Sequence, residues 1–461
     1  MSHGVFPGLV LLAWIPFTLV MFQRFDVAKA TAISMFSAVM FLPEHAHYDL
    51  PLTPDLDKGN LSNVVLVLIL LFQYPRQRNS ARLGSGPEAV FVLLPLAHIA
   101  TWLTNRDPLV YGIAQKTFLP GMGLRDALSG IIWDAFGLLF PFLVGRIAFQ
   151  SLGDLRRLLH IFAMVGIVYI PMIFFELRFS PQLHTWIYGY PAIVEFLQTL
   201  RWGGYRPYVF TRHGIALALI IFGSLMSAGA LYRGRLFLLG TKSSVLVWVL
   251  FVVMILIKST GAIVYAVATL PLQLATRVKM QMRVASVIGL IAITYPYLRS
   301  QDLVPVDDIT EAAMMISEDR AGSLRFRFDN EEILLEKAQE RLMFGWGGYG
   351  RPRVYSDWDG QDISVTDGYW IIRLGAFGLI GMFVPFFLLV FPVLFSARRT
   401  KRFPDSPPLY LLGGLALYVA INALELVPNS LTYSLPLVLA GALFSTSRQS
   451  ALRGAPMQRR A

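Results

Sequence analysis

Arginines and carboxylates gathered in loops between apolar runs are the residues of this chain whose types and spacing could do chemistry. Arg212 closes the stretch Arg201-Trp-Gly-Gly-Tyr-Arg206-Pro-Tyr-Val-Phe-Thr-Arg212-His213-Gly214, where a polar loop becomes an apolar helix. A guanidinium held at a water–membrane boundary suits an anionic lipid headgroup; the plainer reading is an interfacial arginine reaching back to the surface. Arg325 and Arg327 precede Asp329, which can cap a helix with Glu332 three residues on, and Leu334, Ala338 and Leu342 then repeat at helical spacing. This pattern predicts an amphipathic helix ending at Gly345, whose first amides beside two fixed guanidiniums would form a phosphate site. Lys258, in the tight turn Lys258-Ser-Thr-Gly-Ala262, either adds a charge at the mouth of the same cavity or is simply solvated.

Asp357, Asp359, Asp362 and Asp367 crowd the end of the second loop. Their spacing departs from the calcium-loop pattern and no histidine joins them, so no metal site is assigned. Asp367 stands immediately before the next apolar run, at the depth expected for Arg212, which makes it the candidate base, with Asp362 behind it. Gly345-Trp-Gly347-Gly-Tyr-Gly350 matches the dinucleotide pattern G-x-G-x-x-G, but it follows a predicted helix and opens no βαβ unit, so it reads as a flexible turn that permits close backbone approach. Asp134, inside an apolar run, is read as a structural partner within the bundle, with a place in a polar cavity as the alternative. His98 and His160 read as ordinary buried or interfacial histidines.

Positioning these groups falls to apolar helices. Of the 461 residues, 55% are hydrophobic and only 15% charged, against about a quarter charged in a water-soluble globule. Runs near 5–22, 27–42, 61–74, 88–104, 127–145, 158–175, 214–231, 243–258, 262–276, 284–299, 371–396, 408–425 and 431–446 predict an all-α polytopic membrane protein of about 12–14 transmembrane helices. Residues 1–461 form a single integral membrane domain, with large loops at 176–213 and 300–370. Residues 1–22 lack a basic leader and a cleavage site, so they read as a retained helix. The absence of cysteine excludes disulfides and thiolate metal sites.

The net charge of +11 invites a nucleic-acid partner, but its distribution argues against one. Arg76, Arg78 and Arg82, then Arg146, Arg156 and Arg157, then Arg233 and Arg235, then Arg277, Lys279 and Arg283, then Arg398 to Arg402, and finally the tail make every second loop basic. That is the positive-inside pattern, which puts those loops and the C-terminus in the cytoplasm and loops 176–213 and 300–370 on the far side. Topology therefore does not explain the arginines of the outer loops. Trp202, Tyr205 and Tyr208 beside them suit sugar faces better than bases.

Two motifs carry a family resemblance. Arg212 and Gly223 form an arginine, ten residues, glycine pattern, and Gly378-Leu-Ile-Gly381 opens an apolar helix with ten residues between Asp367 and Gly378. With Arg327 eighteen residues before Gly345 of Phe-Gly-Trp-Gly, the chain resembles the O-antigen ligase and O-antigen (Wzy-type) polymerase superfamily of bacterial membrane glycosyltransferases. The family's second motif has histidine where this chain has Asp367, which places the identity of the base in question.

The resemblance implies a GT-C-like fold in the bacterial inner membrane with its active site facing the periplasm. It implies inverting, metal-independent transfer of a glycan from an undecaprenyl-diphosphate carrier to an acceptor sugar hydroxyl, with no cofactor. Arg212 and Arg327 would hold the pyrophosphate and Asp367 would take the proton; Arg325, Arg206, Asp362, Tyr369 and Lys258 would bind substrate. A polymerase is favoured over a ligase acting on lipid A-core because the ligase-like histidine is absent. The implied partners are the lipid-linked oligosaccharide, the glycan acceptor, the bilayer, and a chain-length regulator or other polysaccharide-assembly proteins. A lipid-linked sugar flippase or transporter is the alternative of another class, disfavoured because no internal repeat is evident.

Overall fold

The computed structural model describes residues 4–49, 53–193, 195–238, 240–315, 318–430 and 434–448. Each apolar run read from the sequence is occupied by a helix. Val5–Arg24, Pro87–Thr104, Leu124–Ala148, Leu152–Phe179, Gly214–Arg233, Val278–Ser300 and Tyr369–Thr400 are long and apolar enough to cross a membrane. Val27–Phe41, Lys58–Gln73, Ser243–Leu256, Thr260–Ala275 and Leu409–Glu425 are apolar but shorter, and Ser434–Arg448 ends the described chain. Helices satisfy their own backbone groups, which is why hydrocarbon-embedded segments take this form. The sheet among the described residues is confined to three short hairpins in loops. The molecule is an all-α polytopic membrane protein.

Gly214–Arg233 is the central helix, with 89% of its apolar window inside the protein. Its small residues explain this. A Cβ on Gly223 would lie 2.1 Å from the Phe162 ring and one on Gly229 would lie 2.4 Å from Gln273 Oε1. The small residues of this helix thus seat neighbouring side chains.

The connecting segments divide between two ends. At the basic end they tie to one another: Arg146 Nη2 donates to the Ala81 carbonyl at 2.7 Å, Gln150 to the Gln77 carbonyl at 2.7 Å, and Arg233 to the Thr276 carbonyl at 2.8 Å. Arg146, counted among the loop charges, is in fact fully buried and paired with Glu88 at 3.1 Å. Arg453, Arg459 and Arg460 of the basic tail lie outside the described residues. Loops 176–213 and 300–370 meet at the opposite end.

Tyr369–Thr400 is broken at Phe377 and Gly378, where Gly378 takes φ 66° and ψ −162°. Such a break leaves helical carbonyls and amides without partners, and burial makes that costly. The turn after the amphipathic helix supplies them. Trp346 N–H donates to the Gly375 carbonyl at 2.8 Å, Gly347 N–H to the Ala376 carbonyl at 2.9 Å, and Leu379 N–H to the Leu342 carbonyl at 2.9 Å. A Cβ on Gly345 would lie 2.5 Å from the Ala376 carbonyl carbon, so the glycines of this motif serve close docking of backbone on backbone.

Beneath that break lies a buried ion group. Arg373 donates to both Asp134 oxygens at 2.8 Å, His98 Nε2 meets Asp134 Oδ2 at 2.8 Å, and Arg373 Nε donates to the Gly381 carbonyl at 3.1 Å. Asp134 is therefore the structural partner that its apolar setting predicts, and His98 is one of its ligands.

Candidate functional site

At the end opposite the basic loops, segments distant in sequence enclose a hollow of about 680 Å³. The hairpin of Leu200–Arg201 and Gly204–Tyr205 contributes Arg201, Trp202 and, just beyond it, Arg206; the next turn contributes Lys258 to Gly261; the amphipathic helix contributes Leu324 and Arg327. Glu425, Pro428 and Asn429 close the wall. A second compartment of about 260 Å³ adjoins it, lined mainly by Tyr295, Phe328, Leu334, Ile371, Leu424 and Val427, with Glu331 and Asp367 on its polar side. Tyr265, Leu324, Arg327 and Pro428 line both.

Arg206 is only 4% exposed. Its guanidinium lies over the start of Gly214–Arg233, where a Cβ on residue 214 would come within 2.3 Å of Nε. Glycine there is what lets the arginine reach the hollow. Among the described residues Arg206 Nε has no hydrogen-bond partner, and no carboxylate pairs with Arg201, Arg206 or Lys258. Burial draws the Arg206 pKa below its ordinary value, partly offset by Tyr208. Lys258, at φ 58°, sets its ammonium over Gly204, 2.5 Å from where a Cβ would stand. Arg327 Nε lies 3.4 Å from Asp367 Oδ2, and its Nη1 donates to the Pro428 carbonyl at 3.4 Å.

His213 reports the electrostatics of this end. It caps Gly214–Arg233 by accepting the Ile215 N–H at Nδ1 over 3.1 Å. Burial first, then Arg206, Arg201, Arg212 and Arg327, push its pKa down to about 4. Guanidiniums of both loops thus act on one imidazole. Arg212 itself is exposed and lines neither compartment; Arg206, earlier in the same loop, is the one that enters the hollow with Arg327.

The structure moves several predicted residues. The helix expected to begin at Asp329 runs from Glu318 to Gln339, because residues 318–328 are mostly good helix formers and contain no proline. Arg325 and Arg327 therefore stand inside the helix on nearly opposite faces, and the expected phosphate site at its first amides does not form. Arg325 points outward and pairs with Asp307 at 2.6 Å and Asp329 at 3.2 Å, so Asp329 serves that pair and not a cap. Asp362 is taken by Arg353 and by the Ser364 N–H at 3.0 Å and hydroxyl at 2.8 Å, which hold the loop turn. Tyr369 is buried against Phe386 and lines neither compartment.

Sequence reasoning missed Glu425, Tyr265, Glu331 and Tyr295. Tyr265 donates its hydroxyl to Glu425 Oε2 at 2.6 Å and Asn429 donates to Oε1 at 2.7 Å. Tyr295 donates to Glu331 Oε2 at 2.8 Å; burial raises the Glu331 pKa and this hydrogen bond opposes the rise. Glu425 carried a usable signal as a lone acid ending an apolar run; the tyrosines carried none. Among the described residues no group of three or more His, Asp or Glu side chains could hold a metal ion. An anion bearing an apolar attachment matches the pair of compartments best, since cations without carboxylates favour negative charge and the adjoining wall favours hydrocarbon. Comparison with protein-family models and with curated proteins finds no match to the chain.

Proposed function

We propose that the protein is a membrane glycosyltransferase of the O-antigen polymerase and ligase type, moving a glycan from a polyprenyl-diphosphate carrier to an acceptor sugar hydroxyl. The observation that carries this reading is the cation-lined hollow sharing Arg327 with an apolar compartment. Breaking a sugar–diphosphate bond needs positive charge where the leaving group gathers negative charge. Arg206, Arg327 and Lys258 are placed to supply it, with Arg201 and Arg212 adding field from the rim. Each charge-assisted contact is worth about 1.5–3 kcal/mol, so two that tighten in the transition state account for a large part of a catalysed rate. Two carboxylates, Asp367 and Glu425, border the compartments where an acceptor hydroxyl would lose its proton.

The sequence resemblance supports the donor class, and Asp367 in place of histidine favours a polymerase over a ligase. In this reading the basic end faces the cytoplasm and the hollow faces the periplasm. The chain contains no cysteine, so Gln361→Cys and Asp405→Cys would report sidedness by labelling intact cells: the first reacts, the second only after lysis.

The direct test gives the purified protein a synthetic polyprenyl-diphosphate oligosaccharide and a sugar acceptor. A product of inverted anomeric configuration, with release of polyprenyl diphosphate and insensitivity to chelator, is expected. No transfer to either a lipid-linked repeat unit or lipid A-core would remove the reading, whereas transfer only to lipid A-core would make the protein a ligase. Carrier-linked sugar held on the cytoplasmic leaflet of a deletion strain would identify a flippase.

A further inference from the structure

The buried carboxylates of the helical bundle are held in different ways; Glu176, 1% exposed, accepts the Leu183, Tyr208 and Val209 N–H groups at 3.2, 2.8 and 2.7 Å and lines neither compartment. Asp134 and Glu88 each face an arginine, Arg373 at 2.8 Å and Arg146 at 3.1 Å. Glu425 does not. It is 7% exposed and lines the hollow, yet its hydrogen-bond partners are the neutral Tyr265 hydroxyl at 2.6 Å and the Asn429 amide at 2.7 Å. Among the described residues no lysine, arginine or histidine makes an ion pair with it.

A carboxylate buried this far is costly to keep ionised without a cation, and its helix, Leu409–Glu425, carries no other charged residue. Asp367 presents the opposite case. Its side chain is 42% exposed, and its Oδ2 lies 3.4 Å from Arg327 Nε, so the carboxylate is engaged in holding that guanidinium. Removing the Asp367 charge would free Arg327 to move, since the other polar contact of Arg327 is a long one to the Pro428 carbonyl at 3.4 Å.

Resting on the glycosyl-transfer reading, we infer that Glu425 is the proton acceptor of the reaction and that Asp367 is a positioning residue for Arg327. In the step, the acceptor oxygen forms its bond to the anomeric carbon as the bond from that carbon to the phosphate oxygen breaks. The electron pair leaves with the polyprenyl diphosphate beside Arg206, Lys258 and Arg327, and the acceptor's proton passes to Glu425. Tyr265 and Asn429 keep the carboxylate oriented, and Tyr265 lines both compartments. Of the charged and titratable groups, Tyr265 on Thr260–Ala275 contacts Glu425 and Arg327 on Glu318–Gln339 acts on it; Lys258 before Thr260 and Arg201 and Arg206 ahead of Gly214 line the same hollow, and Asp367 and Glu331 line the adjoining compartment.

The test compares Glu425→Gln, Tyr265→Phe and Asp367→Asn in the purified full-length protein, with geranyl diphosphate as the probe of the anion site. Glu425→Gln is expected to lower kcat by about 10²- to 10⁴-fold, to abolish the acidic limb of the kcat–pH profile, and to leave geranyl diphosphate affinity unchanged. Tyr265→Phe lowers kcat less and displaces that limb. Asp367→Asn raises donor KM and weakens geranyl diphosphate binding while the acidic limb stays in place. Wild-type kcat and an intact acidic limb in Glu425→Gln, with both lost in Asp367→Asn, would overturn the assignment and leave the transferase reading standing. A wild-type protein that transfers nothing overturns both. If Glu425→Gln does not fold, Tyr265→Phe decides: an acidic limb that does not move ends the inference.

Discussion

The ion group of His98, Asp134 and Arg373 and the open cluster of Arg201, Arg206, Lys258 and Arg327 use the same residue types to opposite ends. In the first, each charge is answered within 2.8 Å and the group is sealed beneath the break in Tyr369–Thr400. In the second, cations outnumber carboxylates, one guanidinium is buried with an unpartnered Nε, and the wall opens to a hollow. Buried charge that only supports a fold is neutralised locally, because an unpaired ion inside a protein costs several kcal/mol. Charge left unanswered beside a cavity is the arrangement a ligand completes.

The sharpest way to break this comparison is Arg373→Leu. It strands Asp134, and the expected loss is about 3–5 kcal/mol of stability, read as a collapse of the unfolding temperature in detergent. Replacing Asp134 by leucine as well should recover most of it, and failure to recover would mean the pair does more than cancel charge. Arg206→Ala is the counterpart at the hollow. Glycan transfer should fall about 10- to 150-fold, the equivalent of one charge-assisted contact, while the unfolding temperature does not drop. A drop in stability like that of Arg373→Leu would show the two centres to be of one kind.

Smaller effects sharpen the same contrast. Gly378→Ala forces a side chain into φ 66°, with its Cβ 2.2 Å from the Met343 carbonyl oxygen, and should cost about 1–3 kcal/mol of stability by thermal unfolding. For His213 the sign follows from linkage. The folded protein holds it at about 4 against an ordinary 6.5, so the unfolded chain binds the proton more readily. The stability contributed by the neutral ring is complete above about 6.5 and is lost as pH falls through about 4. His213→Asn, which can still cap the helix, should flatten the unfolding temperature between pH 7 and pH 4. Arg325→Ala, which removes exposed pairs with Asp307 and Asp329, should change neither transfer nor unfolding.

Much of the scaffold was legible before any coordinates. Apolar runs placed the helices, and the alternation of basic loops anticipated the two-ended arrangement. The site was less legible. Arg327, Lys258 and Arg206 were all named from the sequence and line one hollow, but Arg325 and Arg327 could not be told apart. Their separation depends on where Glu318–Gln339 begins, and helix starts move easily when no proline or strong cap marks them. Tyr369 was named as a substrate contact, yet the first turn of its helix places it in the core.

Hydropathy was enough for the membrane class and the order of helices, since each depends on one short run of residues at a time. The partner of Asp134 lies 239 positions away, and Glu425 meets Tyr265 across 160. Which arginines face the hollow, which carboxylate lines it, and why the Gly345 turn is needed were settled only by packing, because each depends on rotation about a helix axis and on contacts between distant segments.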